Sequence, residues 1–201
     1  TGFPMGFQMS VMCIGQLAMQ GAVNALGTEA IAGYTAATKV DQISVLINGA
    51  FGIAISNYVA QNYGAGLDKR IRAGVSACLL QTSIVNAAIC IFIILCRHLV
   101  VPLFVEQPTA EIVWYSDRYL LAVAPFYLML GCLQIYRSAI QSRGDGKTPF
   151  AACIIELVVR IGATTILAAQ IGYVGICLAT PLAWIGACLL LVPVYYIKKY
   201  F

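Results

Sequence analysis

Charge is what this chain has least of. Its 201 residues include 12 Lys and Arg, 8 Asp and Glu and a single histidine, against 61% hydrophobic residues and a mean hydropathy of +0.86. A soluble domain carries charge on about a quarter of its residues, so this scarcity excludes an ordinary water-soluble fold. His98 stands alone at a membrane edge beside Arg97. The chain also lacks the Ser-His-Asp, paired-carboxylate and metal-ligand groupings that hydrolytic or metal chemistry needs. It is therefore expected to be no enzyme and to hold no metal site or cofactor. Eight cysteines are present but no C-x-x-C pair; they read as small apolar residues at helix contacts. The chain opens on Thr1 with no basic-then-apolar leader, and further sequence is expected upstream.

Long apolar runs fill the space that charge leaves. Six occur, at 5–26, 42–65, 73–96, 119–136, 161–170 with the residues just before it, and 173–197. A run of about 20 residues crosses the ~30 Å hydrocarbon layer as a helix. The spacing predicts an all-α membrane protein of six transmembrane helices, near 4–26, 30–64, 68–97, 109–142, 149–171 and 173–198. The sequence then forms a single transmembrane lobe over 1–201, with the lipid bilayer as its partner.

The basic residues alternate by side. Lys69, Arg70 and Arg72 follow the second run, Arg143 and Lys147 the fourth, and Lys198 and Lys199 the sixth; the other connections offer only Arg97. By the positive-inside rule the basic connections are cytoplasmic, which predicts both chain ends in the cytoplasm and a multi-pass protein of the cell membrane. The net charge of +4 thus reports topology, and no nucleic-acid partner is expected. Gly146-Lys147-Thr148 looks like the tail of a phosphate loop, but position 141 is Gln where that loop needs glycine.

Gly27 reads as the stop of the first helix and Thr28 as an N-cap for the second, with Glu29 in its first turn. Thr148 and Pro149 read as N-cap and first residue of the fifth segment. Pro181 and Pro193 should kink the sixth. Gln61, Gly64 and Gly66 are echoed by Gln141, Gly144 and Gly146, both as Q-x-x-G-x-G, which raises the possibility of two related hairpins.

The fifth run is the exception to the charge-free pattern, because Glu156 and Arg160 interrupt it. From a start at Pro149 they lie about 10 and 16 Å along the helix, near mid-membrane. Each isolated charge there costs at least about 2.5–3.5 kcal/mol. Their i, i+4 spacing puts them on one face, so they form either a structural ion pair or a pair facing a wet cavity. Lys39 and Asp41 form a second polar island; two residues apart, they point to different sides of a helix. The four charges sum to zero, as a buried network across the second and fifth segments requires. Uncharged polar residues, among them Asn48, Asn86 and Gln134, are scattered through the other runs and suit a wet cleft.

Gln61-Asn62-Tyr63-Gly64-Ala65-Gly66, followed by Lys69, Arg70 and Arg72, resembles the loop signature of the multidrug and toxic compound extrusion (MATE) transporters. The resemblance continues through Ala36-Ala37 with Lys39, Ala124-Pro125-Phe126-Tyr127, and Tyr136-Arg137-Ser138 to Gly144, Thr148-Pro149 and Glu156 to Arg160, and it covers essentially the whole chain. It implies one six-helix lobe, the C-terminal one, of a twelve-helix, two-lobe transporter that exchanges organic cations or amphipathic drugs for Na+ or H+. The partners then implied are a missing N-terminal lobe and small organic substrates. Some members carry an acidic residue in the seventh helix; the matching run 5–26 has none, and that ion site does not transfer. The candidate substrate or ion-coupling residues are Glu156, Arg160, Lys39, Asp41, Gln134 and Arg137, and Gln61, Asn62, Gly64 and Gly66 form the structural loop. A flippase for lipid-linked precursors and a non-transporting membrane subunit are the alternative functions.

Overall fold

The computed structural model describes residues 2–106 and 108–197, without the side chains of 2–7, 9 and 100. Lys198 and Lys199 lie outside the described residues. Seven α-helices and one 3₁₀ turn make up the described chain: α1 (Gly2–Asn24), α2 (Thr28–Gly64), α3 (Asp68–Phe104), α4 (Ala110–Val123), a 3₁₀ turn (Ala124–Phe126), α5 (Tyr127–Gln141), α6 (Lys147–Ile171) and α7 (Tyr173–Ile197). Among the described residues five helical stretches are long and apolar enough to cross a membrane: α2, the 68–99 part of α3, α4 and α5 taken together, α6 and α7. α1 contributes a further 23-residue helix.

α4 and α5 divide the fourth apolar run at Pro125. Proline has no N–H to continue the helical ladder and its ring crowds the carbonyl four residues back; the backbone tightens there into the 3₁₀ turn. By contrast α7 runs as one helix through Pro181 and Pro193.

α6 packs along α7, α1 lies on α6, and α2 sits against α3, α4 and α5. Tyr119, Leu120, Tyr127, Leu133 and Ile140 fill the centre. The outer faces of α2 and α3 remain apolar and uncovered, for example at Leu46, Ile53, Leu80 and Leu95. Solvent-exposed leucines in such numbers belong to a surface whose solvent is lipid.

The helix ends correct three details of the sequence reading. Gly27, at φ 106°, is the N-cap of α2, and Thr28 is its first helical residue. At α6 the capping carboxylate is Asp145 and not Thr148: its Oδ1 accepts from the backbone N–H groups of Lys147 and Thr148 at 3.1 and 3.0 Å, and its Oδ2 from the Thr148 hydroxyl at 2.7 Å. The two Q-x-x-G-x-G stretches fold differently. In the first the left-handed residue is Gly66, at φ 68°, and in the second it is Gly144, at φ 88°. Helix ends of both kinds favour glycine.

The first of these turns is a Schellman motif: Gly66 N–H donates to the Tyr63 carbonyl at 3.1 Å and Leu67 N–H to that of Asn62 at 2.9 Å. Asn62 is buried and its amide donates to the Tyr58 carbonyl at 2.8 Å. Gln61 and Gly64 are exposed. A Cβ at position 66 meets no neighbour within 4 Å, so Gly66→Ala isolates the backbone term. It is expected to lower stability by about 1 kcal/mol, read as a fall in thermal unfolding midpoint in detergent.

Candidate functional site

α6 presents one buried stripe at successive turns: Thr148, Ala152, Glu156, Arg160 and Thr164. Four-residue spacing keeps these on one face, and that face meets α5 and α1. Glu156, 3% exposed, accepts from two arginines. Arg137 on α5 reaches its Oε2 at 2.7 Å, and Arg160, one turn further along α6, reaches its Oε1 at 2.9 Å. Both carboxylate oxygens are thus engaged by guanidinium groups, the strong charge-assisted geometry. Arg137 Nε remains without a partner.

Across from Arg160, α1 supplies Gly15, where a Cβ would come within 3.1 Å of the arginine Cδ. The absent side chain leaves room for the arginine stem and for a cavity of about 10 Å³ lined by Met12, Gly15, Cys153, Glu156 and Arg160. That is room for roughly one water.

Asp41 lies on a different stripe, on α2, with Ser44 and Asn48 below it on the same face. It is 8% exposed. Its Oδ2 accepts from the Tyr119 hydroxyl on α4 at 3.3 Å, and its Oδ1 has no hydrogen-bond partner. The Tyr127 hydroxyl at the start of α5 sits beside both Asp41 and Ser44 without hydrogen-bond geometry to either. Arg160 is close enough to act on Asp41 electrostatically, yet its hydrogen bond goes to Glu156. Among the described residues Asp41 therefore has phenolic neighbours and no ion-pair partner.

Further along the seam Asn48 and Asn86 exchange amide hydrogen bonds at 2.9 Å each way, joining α2 to α3. Gly131 on α5 closes over them: a Cβ there would lie 2.8 Å from Thr82 and 3.2 Å from Asn48 Oδ1. Gln134 is half-buried one turn on, its Cγ and Nε2 each 3.0 Å from where a Cβ of Gly52 would be.

The expected four-charge network does not form. Lys39 is exposed and places its ammonium 5.3 Å from the centre of the Phe104 ring, on the opposite side of α2 from Asp41. Arg137 takes its place beside Glu156, so the ion cluster links the fourth and fifth segments. His98 is not without an acidic neighbour either: its Nδ1 is 3.1 Å from Asp117 Oδ2. Tyr119, Tyr127 and Ser44 were not among the candidate site residues, because aromatic and hydroxyl residues in apolar runs carry no charge to mark them. The break at Pro125, just before Tyr127, is the signal that could have drawn attention to them.

A bundle of membrane-length helices with two buried ionisable clusters is the architecture of a polytopic membrane protein. The family model MatE matches residues 4–166, and the chain belongs to this multidrug and toxic compound extrusion family. It is 28% identical over 176 residues to the probable multidrug resistance protein YpnP of Bacillus subtilis, covering 87% of this chain and 39% of that protein. With the probable multidrug resistance protein YoeA of the same organism it shares 24% identity over 156 residues, 78% of this chain and 33% of the relative. The chain thus spans well under half the length of these curated relatives. Among solved structures, MATE in its straight conformation superimposes with a TM-score of 0.89 at 19% identity, over 99% of this chain and 44% of that one. An outward-facing multidrug resistance MATE transporter of the MOP superfamily gives 0.89 at 19% identity, over 98% and 44%.

Proposed function

We propose that this chain is one lobe of a secondary active antiporter that exports organic cations or amphipathic drugs in exchange for Na+ or H+. It would work against a second lobe of the same transporter by rocking about a shared cleft. Both chain ends would lie on the cytoplasmic side of the cell membrane. The names of the Bacillus subtilis relatives agree with export of drugs, and the coverage of about 44% of each solved transporter agrees with a partner lobe. The cavity beside Arg160, about 10 Å³, is far below the ~300 Å³ a drug-sized ligand needs. That cavity would then not be where substrate binds.

The observation that carries the coupling is the contrast between the two buried carboxylates. Glu156 is held by two arginines and has no free oxygen for an ion. Asp41 keeps one oxygen unpartnered among hydroxyl groups, and that oxygen is the one open to a proton or a monovalent cation. The test uses the full-length transporter in proteoliposomes under an imposed Na+ or pH gradient. Asp41→Asn is expected to abolish gradient-driven efflux while leaving the unfolding midpoint near wild type. Unchanged efflux in that variant rules Asp41 out as the coupling group.

A further inference from the structure

Two buried arginines, Arg137 and Arg160, share the interior with two buried carboxyl groups, Glu156 and Asp41. Both arginines serve Glu156, Arg137 at 2.7 Å on one oxygen and Arg160 at 2.9 Å on the other. Asp41 receives neither. Its Oδ2 takes the Tyr119 hydroxyl, while its Oδ1 and the Ser44 and Tyr127 hydroxyls are buried without hydrogen-bond partners. That distribution suits a neutral Asp41, because an ionised carboxylate buried without a counter-ion is strongly destabilising. Once Asp41 ionises, two carboxylates face two arginines, and one arginine on each leaves no charge alone.

Arg160 is the arginine placed to make that change. Of Tyr119 from α4, Tyr127 from α5 and Arg160 from α6, which all act on Asp41, Arg160 alone carries charge. Tyr34 on α2 also faces Asp41, with Cys177 of α7 beside Tyr34 and Tyr119, and Cys90 of α3 beside Tyr127. α1 packs on α2 as well and has no Asp, Glu, Lys, Arg or His between Gly2 and Asn24. Departure of Arg160 does not strand Glu156, since Arg137 holds the other oxygen. Rotation about the arginine's side-chain torsions carries the guanidinium while its Cα stays in α6. On the α1 side Gly15 leaves the stem free: a Cβ there would lie 3.1 Å from Arg160 Cδ and 3.7 Å from Nε.

We propose that Arg160 is an exchanging counter-ion, paired with Glu156 while Asp41 holds the coupling ion and crossing to Asp41 Oδ1 when that ion leaves. The exchange rests on the reading of Asp41 as the coupling group and adds how the lobe registers its occupancy. With Arg160 on Glu156 the ion pair lies within α6; on Asp41 it ties α6 to α2. Loading the ion therefore unties these two helices, and unloading it ties them again. The ion thereby biases a two-state element through its differential affinity for the two arrangements. Arg160 is a positioning residue, acting through the two carboxyl groups.

The experiment is infrared difference spectroscopy of the full-length transporter in lipid, with its arginines isotopically labelled in the guanidinium group. Spectra are taken between about pH 4 and about pH 10 without Na+, and again on adding Na+ at the alkaline end. Wild type is expected to show arginine bands that shift with the proton or with Na+, and Asp41→Asn to lose that shift. Arg160→Lys is expected to lose it too, because the lysine carries no label. Arginine bands that are the same in wild type and Asp41→Asn under both conditions overturn the proposal, whether or not Arg160→Lys folds. So do Asp41-dependent bands that persist in a folded Arg160→Lys, since another arginine then responds. Efflux by Asp41→Asn separates the two readings. Lost efflux with unmoved bands overturns the exchange and keeps Asp41 as the coupling group; unchanged efflux with Asp41-dependent bands overturns the coupling role and keeps the exchange.

Discussion

Glu156→Leu is expected to destabilise the lobe by about 3–5 kcal/mol, the cost of leaving buried charge without its counter-ion. The substitution removes the acceptor for Arg137 and Arg160 together, and those side chains are only 10% and 9% exposed. With one carboxylate serving two guanidinium groups, neither arginine has an obvious second anion; Asp41 lies within electrostatic reach of Arg160 but is bonded to Tyr119. The measurement is thermal unfolding in detergent, with the fraction of monodisperse protein on size exclusion as a second readout. Replacing the whole cluster, Glu156→Leu with Arg137→Met and Arg160→Met, should recover much of the loss, since a well-packed apolar substitute for a buried ion group is often neutral or better. A stable single variant contradicts the view that the arginines depend on this one residue.

Gly33→Leu is expected to separate α2 from α4. A Cβ at Gly33 would lie 2.6 Å from the Ile112 carbonyl oxygen, 2.7 Å from Tyr115 Cβ and 3.1 Å from Ser116 N. Two of these are backbone atoms, which cannot turn aside as a side chain can. Even Gly33→Ala should cost about 1–3 kcal/mol through overpacking, and leucine more. Tyr115 is one turn from Tyr119, so a displaced α4 also draws the phenol away from Asp41. The lobe would lose stability and, on the coupling proposed above, ion-driven efflux as well. Gly21→Ala on α1 is the control: nothing lies within 4 Å of its Cβ position, and alanine is the better helix former. Equal unfolding midpoints for Gly33→Leu and wild type would show that the close approach tolerates a large side chain.

The spans were legible because charge placement is dictated by the solvent: Lys69 to Arg72 and Arg97 bracket α3 where lipid gives way to water. Glu156 and Arg160 were legible for a similar reason, since an i, i+4 pair of opposite sign deep in an apolar run has few explanations. Arg137 could not be tied to Glu156 from spacing. Their 19-residue separation closes only when α5 and α6 fold back about the Gly144 turn. Lys39 was grouped with Asp41 by nearness in sequence, although a helix sends residues two apart to different sides; one became core and the other surface. The Asp145 cap was hidden because Thr148-Pro149 is itself a good helix start, and the carboxylate three residues earlier competes for the same backbone donors.

The paired amides of Asn48 and Asn86 have a mechanical consequence. Two reciprocal hydrogen bonds at 2.9 Å act as a key between α2 and α3. Sliding one helix past the other by a single turn, about 5.4 Å, would strand both amides in apolar surroundings. Gly131 bars the alternative of lifting them out of register toward α5. Any rearrangement of the lobe must therefore carry α2 and α3 together as one stiff lever, with bending confined to the joints at either end.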